Sequence, residues 1–482
     1  MAAHTRNPRQ SAPQQPAPQV LEELATALVP ALSPGAVVTD PDILAAHSTD
    51  EAPDCPGAGA IALVRAKSVE DVQATMRFAH AHHIPVVPQG ARSGISGGAN
   101  ASPGSILLDV TAMNRILHVD AENFVVTVQP GIINQDLKDA LAPQGLFYPP
   151  DPGSVKLSTI GGNIATNAGG LCCVRYGVTH DFVREIRVVL PDGTLTRLGR
   201  KTAKGVAGLD LCSLFVGSEG TLGVIVEATL KVIPLPSAPL TAVATFPNEV
   251  AAARTVSQFM AEGVVPSLME LMDATTIEML NGFGDFGLDA TVGAMLIMQS
   301  NGTDAPTDVQ AFARVAEANS ALDVAVSDDP RDSEDLIATR RMVQPSFETF
   351  ARAHGGGQLL DDVCVPRSAL PEFFERLDEI RAETGVIISV VAHAGDGNTH
   401  PAIFYDLHDP SSRDAATRAF GQIMELGLSL GGTITGEHGV GFLKKEWLPR
   451  ELDEGARRLH RQVKDAIDER GIMNPGKMLG SL

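Results

Sequence analysis

The sequence predicts an α+β protein, and three observations carry that expectation. The first half reads as short apolar strands punctuated by three glycine-rich segments. The second half alternates strand and helix patterns, as an antiparallel sheet covered by helices does. Towards the C-terminal end, two glycine-embedded motifs offer three imidazoles and at least one carboxylate: His393-Ala394-Gly395-Asp396-Gly397-Asn398-Thr399-His400 and Gly436-Glu437-His438-Gly439-Val440-Gly441.

The bulk numbers bound the function. A chain of 482 residues has room for two or three domains with full cores. Hydrophobic residues make up 44% and charged residues 20%, an ordinary balance for a globular protein. The formal net charge of -21 argues against nucleic acid, which needs a basic surface. An anionic small molecule then needs local positive charge around it. The five cysteines form neither a C-x-x-C pair nor an even framework, which points to a reducing compartment and away from an iron–sulfur cluster. No apolar run is long enough to span a membrane, so a cytoplasmic protein, or one peripheral at the inner membrane, is expected.

In chain order, residues 1–19 are rich in Ala, Pro and Gln and are expected to be a disordered tail. A short helix is expected over 20–29, stopped by Pro30. Strands follow at 61–64 and 84–87, separated by a helix over 70–83 with Val72, Met76 and Ala79 on one face. The second strand opens into Pro88-Gln89-Gly90-Ala91-Arg92-Ser93-Gly94-Ile95-Ser96-Gly97-Gly98. Its glycines let backbone amides approach an anion closely, and pyrophosphate is the natural guest. The loop matches neither a P-loop nor a GxGxxG fingerprint, and a bare connector of this composition is equally common.

Strands at 105–109 and 124–128 precede a helix over 134–142 and a stiff turn at Pro149-Pro150-Asp151-Pro152-Gly153-Ser154. Next come Thr159, Gly161, Gly162, Asn163, Ala168 and Gly169, in a run of small residues that leaves space for a flat cofactor or another backbone. A hairpin spans 184–198 around Pro191-Asp192-Gly193. The third glycine-rich segment, Gly217-Ser218-Glu219-Gly220-Thr221-Leu222-Gly223, leads through Val224 and Ile225 into a strand that ends at Pro234.

The second half continues with strands at 240–246, 267–272, 291–298 and 322–326, and with helices over 248–262, 273–280 and 306–320. Residues 332–353 read as helical with a break at Pro345. A helix over 370–382 precedes the apolar run 386–391 (VIISVV), a buried strand that delivers the first histidine motif to its end. Two further helices, over 411–430 and 453–469, close the chain before Asn474-Pro475-Gly476-Lys477.

Imidazole and carboxylate donors on glycine turns suit zinc, manganese or iron. Two glycine turns capped by histidines are the bland reading of the same residues. Asp396 fits either an outer partner of the ligands or a turn residue bonding its own backbone.

Together these motifs resemble the flavin-linked 2-hydroxy-acid dehydrogenases of the vanillyl-alcohol-oxidase/p-cresol-methylhydroxylase superfamily. Within it the chain is similar to the glycolate oxidase catalytic subunit, D-lactate dehydrogenase and D-2-hydroxyglutarate dehydrogenase. The match runs from about Ala36 to Met478, with the motifs in the family's order. The resemblance implies a two-subdomain FAD-binding domain of the p-cresol-methylhydroxylase type over 20–236. It also implies an α+β substrate or cap domain with an antiparallel sheet over 237–408. A small helical C-terminal segment over 409–482 packs back on the flavin domain.

It further implies that the loop from Pro88 to Gly98, including Gln89, Gly90, Ala91, Arg92, Ser93, Gly94, Ser96 and Gly97, wraps the FAD pyrophosphate. Pro150, Asp151, Ser154, Thr159, Gly161, Gly162, Asn163, Ala168 and Gly169 line the isoalloxazine and ribityl region. Gly217, Glu219, Gly220, Gly223 and Val224 close over the flavin, with Ile225 towards the adenine and Asn474 bringing the C-terminus back beside it. His393, His400 and Glu437 match divalent-metal ligands, His438 the general base, and Arg340 the arginine that grips the substrate carboxylate.

Three departures shape the expectation. Covalent-flavin relatives carry a histidine in the first loop; Ala91-Arg92-Ser93 offers none, which implies non-covalent FAD. Leu360 and Ala402 stand where the 2-hydroxyglutarate enzymes have a lysine and an asparagine. Both losses fit a small anionic monocarboxylate, D-lactate or glycolate, better than a dicarboxylate. Reduced flavin then needs an acceptor: a quinone, a cytochrome, an electron-transfer flavoprotein or a partner subunit. A homodimer is compatible with the sequence. D-2-hydroxyglutarate oxidation, a flavin alcohol oxidase and a non-catalytic flavin electron-transfer subunit stay open as alternatives.

Overall fold

The computed structural model describes residues 22–482 except 54 and 56. The tail expected over 1–19 lies outside the described residues, as does the start of the helix expected over 20–29. Its described part is a short π-type run, Leu24–Leu28, followed by a 3-10 turn containing Pro30.

The chain folds as α+β around three sheets. The first orders β1 (Val37–Val38), β2 (Ala62–Arg65), β3 (Val86–Gln89) and β4 (Ile106–Asp109) as β1-β2-β4-β3. β4 runs parallel to both β2 and β3. Parallel strands need a crossover, and helix Val69–His82 supplies the one between β2 and β3. Ser68 caps that helix through Asp71 N–H, and Val72, Met76 and Ala79 are buried as their spacing requires.

The second sheet is antiparallel and orders β5 (Ile116–Asp120), β6 (Val125–Val128), β8 (Val183–Val189), β9 (Leu195–Gly199) and β10 (Val224–Lys231) as β5-β6-β10-β8-β9. The expected hairpin is β8–β9, turned at Gly193 with φ +85°. β7 (Leu146–Phe147) and β11 (Ile233–Pro234) form a separate ribbon.

The third sheet carries the site. Its strands are β12 (Leu240–Phe246), β13 (Leu268–Asp273), β14 (Ala294–Ser300), β15 (Asp323–Ser327), β16 (Gly356–Leu360), β18 (Ile387–His393) and β19 (Asn398–Asp406). They are ordered β15-β12-β14-β13-β18-β19-β16, and the short β17 (Val363–Cys364) also pairs with β19. Every pairing in it is antiparallel. One face packs on Phe259, Phe312, Phe373 and Phe420, contributed by four helices, in the largest apolar cluster. The other face packs on Ile277, Leu280, Val343 and Phe347.

The break expected at Pro345 falls three residues earlier. Helix Pro330–Arg341 ends and Val343–Ala353 begins at Met342. A proline ring clashes with the carbonyl four residues before it, here that of Arg341, so the discontinuity lies upstream of the ring. Pro345 itself occupies the first turn of the second helix, where its missing N–H costs nothing.

Helix Pro410–Ser429 lies on the third sheet, with Ala416, Ala419, Phe420 and Ile423 in the main cluster. The stretch that reaches back to the first sheet is shorter. Met473 forms a parallel bridge with Val86, Val86 N–H donates to Ile472, and Asn474 N–H donates to Val86.

Candidate active site

The two histidine motifs meet. β18 ends at His393, a tight turn through Gly397 (φ +82°) follows, and β19 begins at Asn398 and carries His400. Added Cβ atoms show why glycine is needed here: at Gly397 one would lie 2.1 Å from the Val365 carbonyl, and at Gly436 2.3 Å from Asn398 Oδ1. Glu437 Oε1 lies 3.1 Å from His393 Nε2 and 3.3 Å from His400 Nε2. His438 Nε2 is 3.8 Å from the same oxygen, and its ring stacks on His400 with centroids 4.8 Å apart.

Strand register adds a partner that sequence patterns missed. Glu270 of β13 is the register partner of His393, and its Oε1 accepts from His393 Nδ1 at 2.7 Å. Donation from Nδ1 leaves the Nε2 lone pair directed at the cluster, the tautomer a metal-bound imidazole needs. The other Glu270 oxygen pairs with Arg340 Nε at 2.9 Å. Arg340 therefore sits beside the cluster, buried, with its Nε committed to Glu270. Arg341 points elsewhere, 3.9 Å from Asp151.

Asp362 is the second partner missed. Its Oδ2 accepts from Glu437 N–H (3.0 Å), His438 N–H (2.8 Å) and Thr435 Oγ1 (2.6 Å), with Lys444 Nζ 3.5 Å away. Burial alone would raise its pKa, but His438, Lys444 and His400 hold it well below the carboxylate range. Lys444 is fully buried, and its ammonium belongs to this network. Burial pushes the His438 imidazole down to about 4, so the ring is neutral at pH 7. His393 runs the other way: burial would lower it, but Glu270 and Glu437 raise it well above the ordinary value.

These residues fit a divalent ion. Donor atoms of His393, His400 and Glu437 all lie within 4.8 Å of one another, as do those of Asp362, His400 and His438. His400 Nδ1, His438 Nδ1 and Asp362 Oδ1 are buried without hydrogen bonds. Two carboxylates, Glu270 and Glu437, flank His393 and make this a place that suits a cation.

The glycine-rich segments gather on the side of Glu437. Gly169 packs so closely that a Cβ would be 2.4 Å from Glu437 Oε2. Gly90 faces Thr159 and Gly220 faces Pro88, at 2.3 and 3.2 Å on the same measure. Among the described residues, no backbone N–H from Gly90 to Ser96 donates to a protein acceptor, although the loop is half-buried. A run of free amides is a cradle for an anion such as a pyrophosphate.

Several expected cofactor residues brace this wall. Gln89 holds the His47 and Ala99 carbonyls, and Arg92, at φ +57°, reaches His47 Nδ1 at 2.8 Å. Asn163 accepts from Asn134, which also holds Pro150. Asp151 takes Cys172 N–H, and Thr159 caps its helix through Gly162 N–H. Asn474 donates to both Gly98 and Glu219 carbonyls at 2.8 Å. Val224 and Ile225 lie in β10, paired with Val189 and Val188.

The chain is similar to known proteins over most of its length. The family described as "FAD linked oxidases, C-terminal domain" matches residues 235–478, and "FAD binding domain" matches 60–199. The chain is 37% identical to the glycolate oxidase subunit GlcD of Bacillus subtilis (strain 168), over 86% of this chain and 88% of that one. It is also 37% identical to a D-lactate dehydrogenase of Anaerostipes hadrus, over 86% and 89%. Among solved structures, p-cresol methylhydroxylase with substrate bound superposes with a TM-score of 0.78 at 16% identity, over 96% of this chain and 97% of that one. Alkyldihydroxyacetonephosphate synthase does so with 0.74 at 20%, over 96% and 86%. At such identities these two structures establish the fold alone, an FAD-binding fold of the p-cresol-methylhydroxylase type. The chain belongs to the FAD-linked oxidase family and is an FAD-linked oxidoreductase.

Proposed function

We propose that the chain oxidises a small D-2-hydroxy acid, D-lactate or glycolate, to the 2-oxo acid, with a divalent metal held by His393, His400 and Glu437. One observation carries the reading: three imidazoles converge on Glu437, Arg340 is joined to them through Glu270, and Gly169 of the glycine-rich wall packs on Glu437. The two relatives named above, a glycolate oxidase subunit and a D-lactate dehydrogenase, support the same substrate class.

FAD, when bound, would supply the hydride acceptor for the substrate α-carbon, and a zinc, manganese or iron ion held by His393, His400 and Glu437 would supply a Lewis acid for the hydroxyl. The rest falls to side chains. Arg340, anchored through Nε on Glu270, turns its terminal nitrogens to the substrate carboxylate. His438 takes the hydroxyl proton on Nε2, while its Nδ1 faces Asp362. Glu270 keeps His393 oriented through Nδ1. FAD is held without a covalent bond, since Ala91-Arg92-Ser93 offers no histidine. The electrons pass on to a quinone, a cytochrome, an electron-transfer flavoprotein or a partner subunit.

Leu360 and Ala402 are register partners across β16 and β19, next to Phe404 and Phe347 in an apolar cluster. Ala402 lies two residues beyond His400, on the same face of β19. A distal carboxylate would find no polar partner at this pair, which favours a monocarboxylate.

Anaerobic mixing of the FAD-loaded protein with D-lactate, L-lactate, glycolate and D-2-hydroxyglutarate tests the reading. Bleaching of the oxidised-flavin band by D-lactate or glycolate is expected to outpace the other two. A yellow protein that none of the four bleaches contradicts it.

A further inference from the structure

Glu219 belongs to the third glycine-rich segment, and its carboxylate passes Gly98 of the first loop to reach the loop that carries Glu437 and His438. One oxygen accepts Val440 N–H and the other Gly441 N–H, both at 2.7 Å. Its backbone is fixed in the flavin wall: Glu219 N–H donates to Ala165, its carbonyl accepts from Asn474, and its φ is +49°. The partner loop is shaped to receive it. Gly439 has φ +86°, and a Cβ there would stand 3.0 Å from Glu219 Oε1. Asp362 grips the opposite flank of the same loop through Glu437 N–H and His438 N–H.

A buried carboxylate is costly, and charge-assisted bonds to two backbone amides are a strong offset. A glutamine has one acceptor oxygen, so its amide group would face the second N–H and lose that bond. Two adjacent amides of the other loop are the partners that this buried carboxyl finds.

We propose that Glu219 is a positioning residue for the metal and base site: from the flavin wall, its carboxylate fixes the loop that presents Glu437 and His438. The proposal rests on the metal-assisted reading above. It makes the cofactor wall and the metal site one mechanical unit, so that each ligand tightens the binding of the other.

The test uses the FAD-loaded protein, wild type, Glu219→Gln and Glu219→Asp. Manganese affinity is read by competition with a chelator, and amide hydrogen exchange is followed in the peptide spanning 436–443. In protein saturated with FAD, Glu219→Gln is expected to weaken Mn2+ binding by about 10–100-fold and to speed exchange at Val440 and Gly441. Glu219→Asp, which keeps the charge but is shorter, is expected to fall between the two. Unchanged exchange and unchanged Mn2+ affinity in Glu219→Gln overturn the proposal. Should wild type bind no Mn2+ while the exchange difference persists, the metal reading fails and the latch stands. If Glu219→Gln does not fold, wild type alone decides: rapid exchange at Val440 and Gly441 overturns the latch, and protection supports it.

Discussion

At the scale of single residues, the site separates what a side chain donates from what holds it in place. His438 is neutral and buried, which suits a proton acceptor. His438→Asn is expected to leave flavin content unchanged and to slow anaerobic flavin reduction by about 10²–10⁴-fold, measured by stopped flow. Glu270 is different in kind, because it joins His393 to Arg340 inside the protein. Glu270→Ala strands a buried guanidinium, so a loss of about 3–5 kcal/mol in denaturant unfolding is expected. The motif glycines and histidines were legible in the sequence as clusters of donors. Glu270 and Asp362 were not, because an acid within L-M-E-L-M-D or D-D-V-C-V acquires its partner only from strand register and loop return. An acid inside an otherwise apolar strand was the available signal.

Glu219 adds a pH dependence. Burial raises its carboxyl to about 7, against the pull of the Val440 and Gly441 amides. The folded state therefore binds more protons than the unfolded chain between the ordinary glutamate value and pH 7. The resulting stability is fully present below the unfolded value and is lost as pH rises through 7, a swing of roughly 3 kcal/mol. Wild type is expected to lose stability relative to Glu219→Gln as denaturation is repeated from pH 5 to pH 8; parallel curves would contradict this assignment.

At the scale of elements, the decisive unit is the hairpin β18–β19. Its first strand was readable from the apolar run VIISVV; its second was not, because Pro401 argues against a central strand. The fold accommodates the proline by giving its register partner, Val390, other bonds: Asp273 takes the N–H and Thr276 donates to the carbonyl. The same hairpin carries Ala402 opposite Leu360, the pair to which the proposed function assigns the choice of substrate. Introducing Leu360→Lys with Ala402→Asn is expected to raise flavin reduction by D-2-hydroxyglutarate relative to D-lactate. An unchanged ratio places the distal end of the substrate elsewhere.

At the scale of the whole molecule, the C-terminal motif ties the halves together. Asn474 holds the first and third glycine-rich segments by their carbonyls, and Lys477 Nζ donates to the Asn100 carbonyl at 2.6 Å. Deleting residues 474–482 is expected to yield a protein purified without FAD colour, and it also removes Met478, Leu479 and Leu482, which pack against the third sheet's core. The α+β class and most strands followed from periodicity. Sheet order did not, since the path β15-β12-β14-β13-β18-β19-β16 depends on long-range pairing that periodicity does not encode. That ordering brings Glu270 to His393, and loop return then brings Glu437 to His393 and His400, with Gly169 packed against Glu437. We propose that this convergence is a metal site needed for 2-hydroxy-acid oxidation. The most direct test is anaerobic flavin reduction by the best acid after chelation and again after adding Zn2+ or Mn2+. Loss of reduction on chelation and its return with metal, in wild type but not in Glu437→Gln, is the expected result. Full-rate reduction in a protein stripped of metal would contradict it.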